Sequence, residues 1–76
     1  MNVSYLDRIT TNPAQCGGRP CIRGMRIRVK DILEMLGAGM SESAVLQEFP
    51  YLQREDILAS LQFAASMSDT PVLRAA

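Results

Sequence analysis

Residues 16–30 read CGGRPCIRGMRIRVK. This stretch holds three of the chain's five glycines, both cysteines and five of its eight cationic side chains, with no acid among them. Gly17-Gly18 turns the chain, residues 19–22 read as a short strand, and Gly24-Met25 forms a tight turn with residues 26–28 returning. Pro20 lacks a backbone donor, so the strand is confined to a sheet edge or a strand start. The expectation is a compact β-rich hook, with Cys16, Cys21, Ile22 and Ile27 as its apolar underside.

Outward from the hook, the two flanks differ in period. Residues 3–10 carry Val3, Tyr5, Ile9 and Thr10, which favour an extended lead-in, and Asn12-Pro13 ends it. After the hook the spacing turns helical. Val29, Ile32, Leu33 and Leu36 share one face, Lys30, Asp31 and Glu34 the other, and Gly37 and Gly39 close the helix. Ser41 is a good N-cap for a second helix with Ala44, Val45 and Leu46 inside, stopped by Phe49-Pro50. A third helix over residues 54–67 is expected to bury Ile57, Leu58, Leu61, Ala64 and Ala65, with Arg54, Gln62 and Ser66 outward. The fold class is therefore mainly α, three short helices behind a small N-terminal β-element. The expected division is one domain over residues 1–67 and a tail over 68–76, frayed or held by a partner.

Seventy-six residues make one small domain near the size at which a single core suffices, and dimerisation is a common remedy, so a homodimer is expected. A content of 47% hydrophobic and 21% charged residues argues against disorder. Formal net charge is zero, yet residues 16–30 carry +5 and residues 31–76 carry −5. That split suggests a basic surface and an acidic remainder, able to meet different partners or to neutralise each other within the fold. No apolar run approaches a membrane span and the first residues lack a signal-peptide pattern, so a cytoplasmic protein with reduced thiols is expected.

The chain has no histidine and only two cysteines, which excludes a serine–histidine pair and gives a metal too few ligands within one chain. The glycines lack the following Lys-Ser/Thr of a phosphate-cradling loop. No enzymatic activity, cofactor, metal or small-molecule substrate is expected; Cys16 or Cys21 would be nucleophilic only if neighbouring arginines lowered the thiol pKa. The candidate nucleic-acid contacts are Arg19, Arg23, Arg26, Arg28 and Lys30. Arg26, Arg28 and Lys30 would share one face of an extended arm, suited to phosphate oxygens. The competing structural reading pairs these cations with helix acids, Arg23 and Arg26 first because they bracket the turn. Residues 49–53 with the flanking helices have the length and spacing of a helix-turn-helix, which adds Gln53 and Arg54 as base-reading candidates. Glu55 and Asp56 read as helix-start residues instead.

The motif Gly17-Gly18-Arg19-Pro20, then Ile22, Gly24, Arg26 and Ile27, resembles the core of the bacterial family called domain of unknown function 433. Gly39, Pro50, Leu52, Glu55, Asp56 and Ile57 continue the match, which covers most of the chain. Met25 stands where that family usually has threonine, and Gln53 where a Ser/Thr cap is common. The resemblance implies a homeodomain-like helix-turn-helix preceded by a small β-element. It also implies an antitoxin that binds its own promoter DNA and neutralises a PIN-like ribonuclease toxin. The alternative is a module that does not bind DNA and acts only by capturing a partner protein.

Overall fold

The computed structural model describes residues 3–68. A 3-10 turn at Leu6–Arg8 leads into strand β1 (Ile9–Thr10), a second 3-10 turn follows at Cys16–Gly18, and strand β2 is Cys21–Ile22. Helices α1 (Val29–Gly37), α2 (Glu42–Glu48) and α3 (Arg54–Met67) complete the order. The tail expected at residues 68–76 lies, apart from Ser68, outside the described residues.

The β-element is smaller than its composition suggests. β1 and β2 pair antiparallel through Ile9–Ile22 and Thr10–Cys21, and residues 3–8 are not strand at all. The physical reason is that Arg8 is drawn towards α3 by its side chain, which bends the lead-in into a 3-10 turn packed on that helix. The hook turns one residue earlier than expected. Arg23 and Gly24 both have positive φ, 47° and 73°, and the Met25 N–H donates to the Ile22 carbonyl at 2.7 Å. Two consecutive positive-φ residues closed by such a bond have the pattern of a type I′ turn, which suits the twist of a hairpin. The returning arm pairs as Ile22 N–H to Ile27 carbonyl at 3.0 Å, and the Val29 N–H caps the Pro20 carbonyl at 3.1 Å.

The three helices pack on one another around Ile22, Val29, Ile32, Val45, Leu52 and Ile57, with half-buried Met25, Leu36, Phe49 and Phe63 closing the sides. Ile22 alone brings the hook into that buried cluster. Ser41 caps α2 by accepting the Ala44 N–H at 3.1 Å, as its position predicts. α1 ends where Gly39 takes φ 98°, a conformation that costs glycine little.

α3 turns inward a face rotated from the one its apolar spacing marks: Ile57 is buried and Ala64 half-buried as expected, but the others shift. Asp56, Ile57, Ala59 and Ser60 are buried, whereas Leu61 is 42% exposed, Ala65 is exposed and Leu58 only half-buried. The helix is rotated because Asp56 must reach its partners in the interior, and small Ala59 and Ser60 allow close approach there. Gln62, expected outward, is half-buried and accepts the Tyr5 N–H at 2.7 Å while donating to the Val3 carbonyl at 2.6 Å. It latches the lead-in segment onto the last helix.

Candidate functional site

The seven residues expected to contact DNA do not form one row. They separate into a buried knot, a set of surface ion pairs and two unpaired arginines.

The knot is centred on Asp56, whose side chain is 0% exposed. Asp56 is the third residue of α3, and its Oδ2 accepts the Gln53 N–H at 2.8 Å, closing the helix start. Arg23 grips the same carboxylate with two donors, Nε to Oδ1 at 3.0 Å and Nη2 to Oδ2 at 2.9 Å. Arg8 adds Nη1 to Oδ1 at 3.0 Å and also donates to Gln53 Oε1 at 2.9 Å. Arg23 Nη2 further donates to the Tyr51 carbonyl at 3.0 Å. Burial on its own would raise the Asp56 pKa. The bonds from Arg23, the Gln53 N–H and Arg8 outweigh it and hold the carboxyl below its ordinary value. The same carboxylate raises the Arg23 pKa. Arg23 and Gln53 are thus committed to holding the hook, the lead-in and α3 together.

The surface pairs occupy three more of the expected contacts. Arg28 forks onto Asp31 at 3.0 and 3.2 Å, Lys30 meets Glu34 at 2.9 Å, and Arg54 reaches Glu42 of α2 at 3.1 Å. The single-contact pairs of Lys30 and Arg54 are exposed and contribute little to stability, whereas Arg28–Asp31 is half-buried and held by two bonds. Lys30 lies in α1 and Arg28 at its N-cap, so residues 26–30 are not one extended arm and the expected face of Arg26, Arg28 and Lys30 does not form. Among the described residues, Arg19 and Arg26 are exposed and carry no ion pair. Of the two turn arginines that the competing structural reading pairs first, Arg23 is bound to Asp56 and Arg26 has no ion pair among the described residues.

Beside Arg19 a groove of ≈ 430 Å³ opens between the hook, α1 and α3. Pro20, Val29, Leu33 and Phe63 form its floor. Sequence reasoning missed this groove because Phe63 and Pro20 are 43 positions apart and no local pattern joins them. It also missed Arg8, whose partner lies 48 residues away.

The cysteines sit under the hook. Cys21 is 2% exposed, and its thiol is pushed up to about 11 by burial first, then by the hydrogen bond and charge of neighbouring Cys16. The arginines do not lower it: Arg28 acts in that direction but is outweighed. Cys21 is therefore a protonated thiol at neutral pH. Iodoacetamide at about pH 8 is expected to label half-buried Cys16 quickly and Cys21 only as fast as the protein opens; equal rates for both would refute this burial. Among the described residues no cluster of three Cys, Asp or Glu side chains suited to a metal ion occurs. No described helix is long and apolar enough to cross a membrane.

The chain is 37% identical over 59 residues to "Uncharacterized protein y4eO" of Sinorhizobium fredii, covering 76% of this chain and 27% of that protein. It therefore spans about a quarter of that relative's length. It is also similar to a solved structure from Anabaena variabilis, a DUF433 member, with a TM-score of 0.76 and 27% identity. That match covers 82% of this chain and 61% of the other. Residues 9–64 match the family model described as "Protein of unknown function (DUF433)". This span takes in the hook, the Asp56 knot apart from Arg8, and nearly all of the three helices, and the chain belongs to the DUF433 family.

Proposed function

We propose that this chain is the antitoxin-type half of a toxin–antitoxin pair, a homodimeric cytoplasmic module that neutralises a PIN-like ribonuclease by capturing it. The observation that carries the protein-capture reading is the outward face of α3. In a homeodomain-like arrangement of α2, residues 49–53 and α3, the third helix would read bases with polar and basic residues. Here that helix turns Leu61 and Ala65 outward beyond Arg54, with Leu58 half-buried beside them. Exposed Leu6 belongs to the 3-10 turn packed on the same helix. An apolar stripe suits another protein surface, and on so small a chain it suits a second copy of itself. The commitment of Arg23 and Gln53 to Asp56 points the same way, since it removes two of the seven expected DNA contacts.

The test is co-expression with the product of the adjacent reading frame, followed by mass measurement of the purified assembly. A complex containing both chains is expected; separate elution of the two at micromolar concentration would sink the reading.

A second reading, contact with the chain's own promoter DNA, is favoured by one observation: exposed, unpaired Arg19 and Arg26. Lys30 and Arg54 would join by exchanging their carboxylate partners for phosphates. Binding of a promoter fragment would then weaken steeply with salt. The substitution Arg26→Glu, away from the groove beside Arg19, should weaken it while leaving the protein complex intact. Binding indifferent to both salt and substitution would remove this reading.

A further inference from the structure

The groove between the hook, α1 and α3 has the anatomy of a protein-docking site. Its floor is apolar: half-buried Pro20 and Leu33, the buried Val29 and the half-buried ring of Phe63. Charge is confined to the rim, where Arg19, Arg28 and Lys30 stand with a single carboxylate, Glu34. An apolar centre within a polar rim is how protein surfaces meet, whereas small-ligand pockets set polar groups among their apolar walls to fix orientation. Duplex DNA has little beyond a thymine methyl to place on such a floor, because its phosphates and base edges are mostly polar.

The rim also says what the occupant carries. Arg19 has no counter-charge among the described residues, and the single-contact Lys30–Glu34 pair is exposed and loosely held, whereas Arg28 forks onto half-buried Asp31. An incoming carboxylate would meet Arg19 unopposed and could draw Lys30 from its helical partner. Desolvating the rim against an apolar floor strengthens those contacts relative to open surface. The backbone beneath is fixed, since the Val29 N–H ties α1 to the Pro20 carbonyl and Arg23 ties the hook to Asp56. An occupant would find the groove already formed, which limits the ordering cost of binding.

We propose that this groove docks an acidic, apolar-anchored segment of a partner protein, one or two large apolar side chains flanked by Asp or Glu. The proposal rests on the protein-capture reading and names the surface and chemistry of that capture. It assigns Leu33, Phe63 and Val29 to the anchor, and Arg19, with Lys30 and Arg28, to the flanking carboxylates.

The experiment is an amide-shift titration of the full 15N-labelled chain with synthetic peptides EDLFDE, KRLFRK and EDSGDE. Saturable shifts at Arg19, Val29, Leu33 and Phe63 are expected with EDLFDE. Affinity should be at least about tenfold weaker for the basic peptide and for the one lacking an anchor. Arg19→Glu, at an exposed side chain that makes no ion pair among the described residues, should fold normally and weaken EDLFDE binding by about tenfold. The proposal is overturned if no peptide gives saturable shifts at these residues, if KRLFRK binds as well as EDLFDE, or if decanoate alone saturates the groove more tightly than EDLFDE. It is equally overturned if the same amides shift with protein concentration alone, since the occupant would then be a second copy. Failure here with an intact co-expressed complex rejects the groove and leaves protein capture standing. Success here without such a complex rejects the toxin partner and keeps the groove.

Discussion

Replacing Asp56 with alanine is expected to destabilise the protein by about 3 kcal/mol, as measured by urea unfolding. The whole domain, at its length, has roughly 4–11 kcal/mol to lose. The cost is large because Asp56 is fully buried and receives Arg23, Arg8 and the Gln53 N–H at once. Removal leaves two guanidinium groups facing each other with no anion between them. Their partial exposure, 27% for Arg8 and 36% for Arg23, lets water relieve some of that repulsion and keeps the value below that of a fully enclosed triad. Asp56→Asn retains an acceptor for the backbone N–H and should cost less. The pH dependence has a definite sign. The folded carboxyl titrates below its ordinary 3.8, so its contribution is complete above about pH 5 and is lost as pH falls through the folded value. The wild-type and Asp56→Ala stability curves should converge on acidification; parallel curves from about pH 6 to pH 3 would show that the ion cluster is not what Asp56 supplies.

Ile22→Ala is expected to cost about 3 kcal/mol as well, for a different reason. Ile22 is 0% exposed and brings the hook into the central cluster with Val29, Ile32, Val45, Leu52 and Ile57. Truncation leaves a cavity between the β-element and the helices, which pay the lost transfer energy together with the unfilled space. Arg26→Ala, a few residues away on the same hook but exposed and unpaired, should change stability by less than about 0.5 kcal/mol. Comparable losses for the two substitutions would mean that the hook is an appendage rather than part of the core.

The helices were legible because their signals are local. Ser41 marks its own helix start, Gly39 its helix end, and α3 begins and ends at the expected residues. The hook was legible in outline, since Gly24 allows a positive φ that few other residues accept. What could not be read were contacts set by long closures. Arg8 and Arg23 reach Asp56 across 48 and 33 residues, and nothing in the spacing of either arginine singles out that carboxylate. The same fact explains the misread face of α3. An acid at the third helical position usually points to solvent, so the apolar spacing of Leu58, Leu61 and Ala65 looked like the inner face. Burial of Asp56 on two arginines turned the helix, leaving Leu61 and Ala65 outside and Leu58 half-buried. Of the site, the cationic residue types were visible and their allegiance was only half so: Arg23 and Arg26 bracket the same turn, yet Arg23 binds Asp56 and Arg26 makes no ion pair among the described residues.

The Gln62 latch bears on the order in which the chain assembles. Its two bonds join residues 57 and 59 positions apart, the longest hydrogen-bonded closures described in the fold. The turns and helices from the hook onward can form and pack while residues 3–8 are still free, because their contacts close shorter loops and lose less chain entropy. The lead-in segment therefore docks last, and in reverse it is the first to peel away. During synthesis residues 3–8 are made more than fifty positions ahead of Gln62, so they wait for α3 before they acquire a place.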